Sequence, residues 1–174
     1  IHINAAPVTR HRENALGPSG WRPLLASFGD DAETLRPGLT DTIHQRLESI
    51  LTNWPADLPE GVIHADLFPN NVHFIGDKLT GVIDFYFACN DIFAYDLGIC
   101  LNSWCFEADG SFNLTKSRAM LSGYTAVRPL SDAEVAAIPT LAAGSAMRFF
   151  LTRLYDWIHT PKDALVSPKD PMEY

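Results

Sequence analysis

The sequence predicts an α+β fold, mostly helical, with one small β-hairpin set near the middle of the chain. Three observations carry that reading. Apolar residues recur at helical spacing on both sides of the centre: Ile43, Leu47, Ile50, Leu51 and Trp54 before it, and Leu97, Ile99, Cys100, Leu101 and Trp104 after it. Between them, two short β-prone runs, 72–75 and 79–83, are parted only by Gly76-Asp77-Lys78, the composition of a hairpin turn. The chain's 174 residues, 47% hydrophobic and 20% charged, can bury the core of one domain.

The elements follow in order. Residues 1–40 are punctuated by Pro7, Gly17-Pro18, Gly20, Pro23, Gly29 and Pro37-Gly38, and read as an irregular connection with a short helix near 21–28. A helix starts at Asp41, with Asp41 or Thr42 as N-cap, and Pro55 ends it. A short buried run, 61–64, leads into the loop HADLFPNN, residues 64–71, and the hairpin follows. A helix is expected over 94–106, and Asn113 is placed to cap another through Tyr124. Ser131 and Glu134 have the spacing of a capping box, in which each side chain satisfies the other's backbone N–H. Pro139 then suits the first turn of a separate helix better than a helix interior, and Thr160-Pro161 stops that last helix near His159. The domain plan is therefore a connection over 1–40 and a helical lobe over 41–174.

Charge narrows the function. Thirteen Lys and Arg against twenty-one Asp and Glu give a formal charge of -8, with no basic run, which disfavours a nucleic-acid partner. No apolar run approaches the roughly 18–20 residues that cross a bilayer, and no signal peptide is visible, so no membrane partner is expected. Cys89, Cys100 and Cys105 are odd in number and lack metal-ligand spacing, which fits buried thiols in a reducing cytoplasm. The first residue is Ile rather than Met, and IHINAAP reads as the tail of an element already under way; the chain is expected to be part of a longer protein.

The loop at 64–71 carries the chemistry. Moving a phosphoryl group from a nucleotide to an alcohol needs a carboxylate to take the acceptor's proton, and oxygen donors to hold Mg²⁺ against the phosphates. Kinase sites place a catalytic aspartate five residues before a metal-binding asparagine, with a second aspartate at a downstream strand end. Asp66 and Asn71 have that spacing, and Asp84 closes the second strand of the hairpin, in the stretch 81–85. His64 reads as a loop-holding hydrogen-bonding group rather than an acid or base. A metal-dependent hydrolase using His64 and Asp66 would gather more imidazoles, whereas His2, His11, His44, His73 and His159 are scattered singly.

VIHADLFPNNVHF, followed by GVIDFYFACNDIFAYDLGICLNSW, resembles the aminoglycoside-phosphotransferase and choline-kinase superfamily. Within it, SFNLTKSRAMLSGY and FFLTRLYDWIHTPKDALVSPKDPMEY are similar to the bacterial homoserine kinases, and the likeness runs over most of 16–174. The resemblance implies the C-terminal lobe of a protein-kinase-like fold, with ATP and Mg²⁺ as cofactors and L-homoserine as acceptor. It implies Asp66 as the catalytic aspartate, Asn71 and Asp84 as Mg²⁺ ligands, and Asp96 in AYDL as a brace for the catalytic loop. Tyr86 stands where protein kinases carry a small residue and is a candidate substrate-binding residue. Asp91 is a candidate for the substrate ammonium, and Arg148 and Arg153 for its carboxylate, against ordinary surface arginines. The departure is upstream: no glycine-rich phosphate loop precedes His64, and the lysines, at 78, 116, 162 and 169, all lie downstream. An N-terminal lobe is therefore expected as a missing partner, and the chain alone is expected to be inactive. Kinases of choline, aminoglycosides or methylthioribose are the alternatives within the class, and a non-catalytic binding domain is the alternative outside it.

Overall fold

The computed structural model describes residues 1–28, 30–161 and 163–173; Gly29, one of the breakers, lies outside them. The chain divides into two compact units, Ile1–Asn14 with Pro55–Ala142, and Ala15–Trp54 with Ala143–Tyr174.

The second unit is helical. Helix α1, Pro18–Ala26, opens on a proline, whose missing N–H costs nothing in a first turn. Trp21 and Leu25, one turn apart, are its buried side chains. Helix α2, Leu39–Thr52, starts before Asp41, and neither Asp41 nor Thr42 caps it. The cap comes instead from Glu33, in a 3-10 turn over Asp31–Thr34, whose carboxylate accepts from Gly38 N (2.7 Å) and Thr40 N (2.8 Å). Gly38 makes the approach possible with φ 75°, a left-handed conformation that favours glycine. Ile43 and Leu47 of α2 pack with Trp21, Leu25, Phe28 and Ala32, so the stretch before residue 40 contributes to a core despite its breakers. The last helix, numbered α5 below, adds Met147, Phe150, Leu151 and Leu154 to the same core.

The first unit holds the strands. β1, Glu60–Ile63, pairs antiparallel with β4, Cys89–Ile92, in the register Ile63↔Cys89. The expected hairpin forms from β2, Val72–Ile75, and β3, Lys78–Val82, with Gly76 at φ 58° in its turn; the second strand lies one residue earlier than 79–83, because Lys78 pairs with Ile75. A bulge after His73 leaves Thr80 outside the register, and the Thr80 hydroxyl donates to His73 O at 3.1 Å. Helix α3, Phe93–Trp104, follows β4 directly. Helix α4, Leu114–Thr125, is capped as expected by Asn113, whose side chain accepts from Lys116 N at 2.9 Å. The three cysteines are free and buried, as read.

Pro139 does not start a helix. Helix α5 runs unbroken over Asp132–His159 with Pro139 inside it, at the cost of the bond that its missing N–H would give to Val135. The capping box at Ser131 and Glu134 begins that helix: Ser131 N donates to Glu134 Oε2 at 2.9 Å, and Glu134 N to Ser131 Oγ at 3.3 Å. Among the described residues, α5 alone is long and apolar enough by length and composition to cross a membrane, with a mean hydropathy of 1.3 over 18 residues. Its apolar residues are interrupted by Thr140, Gly144, Ser145 and Arg148, so no uninterrupted apolar run marks it in the sequence. Its apolar side chains Met147, Phe150, Leu151 and Leu154 are nevertheless core residues.

Two expected outcomes follow from α5. Gly98 of α3 lies against it, and a Cβ there would come within 3.0 Å of Ala142 N and 3.1 Å of Leu141 C, both backbone atoms. Alanine would gain about 1 kcal/mol of helix propensity, but the overpacking costs about 1–3 kcal/mol. Gly98→Ala should therefore lower the urea midpoint, and a raised midpoint would show that the two helices slide apart freely. Burial works to raise the Glu134 carboxyl, and the Ser131 and Arg128 hydrogen bonds outweigh it, leaving it below its ordinary 4.5. Its stabilising contribution is full above the unfolded value of 4.5 and is lost as pH falls through the lower folded value. Glu134→Gln should flatten the acid limb of a stability–pH curve, and an unchanged limb would assign the acid sensitivity to other carboxylates.

Candidate active site

β1 delivers three residues, His64, Ala65 and Asp66, into the loop. Ala65 sits at φ 62°, a left-handed conformation that costs an L-residue roughly 1–2 kcal/mol. Asp96, in the first turn of α3 and 3% exposed, holds it there. Its Oδ1 accepts from Ala65 N at 2.8 Å and its Oδ2 from His64 N at 3.1 Å. Hydrogen bonds to a charged group contribute about 1.5–3 kcal/mol each, so the pair outweighs the strain. The helix N-terminus around Asp96 favours its negative charge as well.

His64 is fully buried and ties the loop to the hairpin. Its Nε2 lies 2.9 Å from Ile83 O, and a carbonyl only accepts, so the proton sits on Nε2. Nδ1 is then the acceptor for Asp66 N, at 3.3 Å. Asn71 closes the same circuit from the other side. It sits in a 3-10 turn over Pro69–Asn71, and its Nδ2 donates to Asp66 O at 2.8 Å and to Asp66 Oδ2 at 3.3 Å. Its backbone carbonyl accepts from Ile83 N at 3.0 Å. Both backbone groups of Ile83 are thereby fixed to the loop, and the next residue is Asp84. Asp84 is exposed, left-handed at φ 62° and ψ 56°, and opens the turn Phe85–Phe87.

The wall behind the loop comes from α3. Trp104 Nε1 donates to Leu67 O at 2.8 Å, and Cys100 Sγ lies 3.9 Å from the same oxygen. Burial, with Asp96 and Cys105 nearby, pushes the Cys100 thiol well above its ordinary value, so it stays neutral.

The structure thus gathers Asp66, Asn71, His64 and Asp96, with Asp84 attached through Ile83. Asp91, Tyr86, Arg148 and Arg153, also singled out in the sequence, each have contacts of their own. Asp91 lies on β4, where Oδ2 accepts from Asn14 Nδ2 at 2.6 Å and Oδ1 from Ile92 N at 2.7 Å. Tyr86 is 71% exposed, and its carbonyl accepts from Arg12 at 2.7 Å. Arg148 and Arg153 belong to the second unit. Arg148 is no surface arginine: it is 2% exposed, with its guanidinium carbon 4.4 Å from the Phe149 ring centre. Arg153 pairs with Glu173 at 2.6 Å. His2 was missed: its Nε2 lies 3.0 Å from Asp96 Oδ2. A lone histidine some sixty residues before the loop gives no local signal of that contact.

Asn71 and Asp84 fit Mg²⁺ by the chemistry of their donors. With Nδ2 turned to Asp66, Asn71 has its amide oxygen for a metal, and Asp84 offers an exposed carboxylate. Mg²⁺ bound with phosphates needs only one or two such protein groups, because phosphate oxygens and water complete its shell. Among the described residues, no three His, Cys, Asp or Glu side chains are grouped so that they could hold a metal ion by themselves.

Asp96→Ala should destabilise the chain by about 3 kcal/mol, because two buried N–H groups lose their acceptor and Ala65 loses its restraint. Urea denaturation of the variant checks this; a loss under about 0.5 kcal/mol would mean that the loop is held by other groups.

The comparisons with known proteins agree with this geometry. The model of the phosphotransferase enzyme family matches residues 2–130, a span that includes the loop, the hairpin, the Asp84 turn and α3. A homoserine kinase of Parvibaculum lavamentivorans is 60% identical over the whole chain, and one of Azorhizobium caulinodans 58%. One of Rhizobium meliloti is 62% identical over 94% of the chain. The chain spans about half the length of these curated relatives, 54% of the first two and 50% of the third. The crystal structure of an aminoglycoside-3'-phosphotransferase of type VIII matches with a TM-score of 0.59 at 24% identity, over 80% of this chain and 54% of that one. That likeness establishes the fold as α+β, mostly helical and protein-kinase-like. With the match over 2–130 spanning every residue of the loop circuit, the chain belongs to the phosphotransferase enzyme family.

Proposed function

We propose that the protein containing this chain transfers the γ-phosphoryl group of ATP to the side-chain hydroxyl of L-homoserine, giving O-phospho-L-homoserine. The observation that carries the proposal is the Asp66 carboxylate hydrogen-bonded to Asn71 in a loop held by Asp96 and His64. The choice of acceptor rests on the relatives that share 58–60% identity over all 174 residues and are named homoserine kinase.

In this reading Asp66 receives the proton of the acceptor hydroxyl and orients its oxygen toward phosphorus. The new O–P bond forms as the bond to the ADP oxygen breaks, and the proton ends on Asp66. Asn71 has a second task, since its Nδ2 bond fixes the Asp66 carboxylate. Mg²⁺ held by Asn71 and Asp84 would supply positive charge against the phosphates. Tyr86, within the turn after Asp84, and Asp91, on β4 beyond it, are proposed to face the acceptor. The proposal includes residues 41–174 as the lobe bearing this chemistry and the stretch before them as its link to an N-terminal lobe. That lobe would bring the phosphate-binding loop and lysine of a kinase. The chain by itself is then inactive, and the whole protein works in the cytoplasm on the route to threonine.

The test is turnover by the full-length protein with MgATP and L-homoserine, with choline as comparison acceptor. Asp66→Asn should lower kcat by about 10²–10⁴-fold, the usual contribution of a positioned base. Turnover with choline but not homoserine would move the acceptor elsewhere in the class. Full activity of Asp66→Asn would remove that residue from the mechanism.

A further inference from the structure

His2 lies between the loop's brace and a second, distant element. Its ring stacks on Phe93 at 4.7 Å and 28°, and its side chain is 9% exposed. Nε2 is 3.0 Å from Asp96 Oδ2 and Nδ1 is 2.7 Å from the Tyr124 hydroxyl. From Tyr124 the contacts continue: Arg128 donates to the Tyr124 oxygen at 3.4 Å and to Glu134 Oε1 at 2.8 Å. Glu134, 1% exposed, is the acid of the capping box that starts α5.

The donor directions in this chain agree with one another. A carboxylate only accepts, so His2 Nε2 carries the proton toward Asp96. Arg128 only donates, so the Tyr124 oxygen accepts from it and the Tyr124 hydrogen points to His2 Nδ1. Burial pushes the Tyr124 hydroxyl up, which keeps it a donor. Asp96 must meet two successive backbone N–H groups with its two oxygens at once, and only one orientation of the carboxylate plane does this. A third bond, on Oδ2 from His2, fixes that plane. Left-handed backbone at a residue other than glycine persists only where its surroundings over-determine it.

We propose that His2 is a positioning residue for the reaction. Oriented by Tyr124 and Arg128, it locks the Asp96 carboxylate, and through it the left-handed Ala65 that aims Asp66. It touches neither substrate nor phosphate. The inference rests on the phosphoryl-transfer reading for its kinetic consequence alone; the structural consequence stands without it.

The experiment uses the full-length protein with His2→Ala, His2→Gln and Tyr124→Phe, and two readouts. Amide hydrogen exchange at His64 and Ala65 reports the clamp directly, whether or not the acceptor is known. In His2→Ala these amides should exchange at least about tenfold faster, the size of one lost charge-assisted bond. kcat with MgATP and L-homoserine should fall by a similar factor, while KM stays within about twofold. In His2→Gln the side-chain amide can donate to Asp96 as Nε2 does, so it should recover most of both. Tyr124→Phe should lie between, and it keeps the test open if His2→Ala does not fold. Unchanged exchange at residues 64–65 in His2→Ala or Tyr124→Phe overturns the proposal, as does a glutamine variant no better than alanine. If the wild-type protein shows no turnover, the proposed function fails, and the exchange measurement still decides the role of His2.

Discussion

The two bonds from Asp96 to the backbone of His64 and Ala65 set the position of everything after them in the loop. Without them a left-handed alanine would relax toward ordinary backbone, and Asp66 would swing away from Asn71. The strain at Ala65 and the burial of Asp96 are each unfavourable alone. Together they are stable, because each supplies what the other lacks: two donors for a buried charge, and an anchor for a strained turn. The left-handed turn redirects the chain directly after β1, so the carboxylate of Asp66 is only half-buried while the backbone behind it is closed off.

A second constraint makes the loop and hairpin one piece. His64 and Asn71 take the carbonyl and the N–H of Ile83, from opposite ends of the eight-residue loop. Asp84 therefore has its position fixed by backbone bonds, although its own side chain is exposed. This suits the cation-binding role proposed for Asp84: the main chain is held and the carboxylate remains accessible. The β2–β3 hairpin, half solvated and bulged at Thr80, is a weak element in itself. Its use is to bring Ile83 back to the loop.

Much of this was legible in the sequence where the signal is local. The spacing of Asp66 and Asn71, the hairpin turn at Gly76 and the capping pairs at Asn113 and Ser131 each lie within a few residues. What escaped depends on contacts across the chain. β4 is four residues long and carries Asn90 and Asp91, which are poor strand formers; it is a strand because β1 pairs with it. The cap of α2 comes from Glu33, upstream of the expected Asp41, through a glycine in left-handed conformation. Pro139 was expected to begin a helix, yet the capping box that opens at Ser131, eight residues earlier, had already started one. His2 gave no sign at all, since its partner Asp96 lies 94 residues away.

Ile83 shows how unevenly a position can be constrained. Its N–H and C=O are both committed to the loop, while 47% of the residue is exposed to solvent. Natural variation there should be generous in side chain and narrow in backbone: valine, threonine or lysine would serve as well as isoleucine. Proline would not, because it has no N–H for Asn71. An alignment column at this position would look unremarkable by residue identity, even though the main chain beneath it joins the two halves of the site.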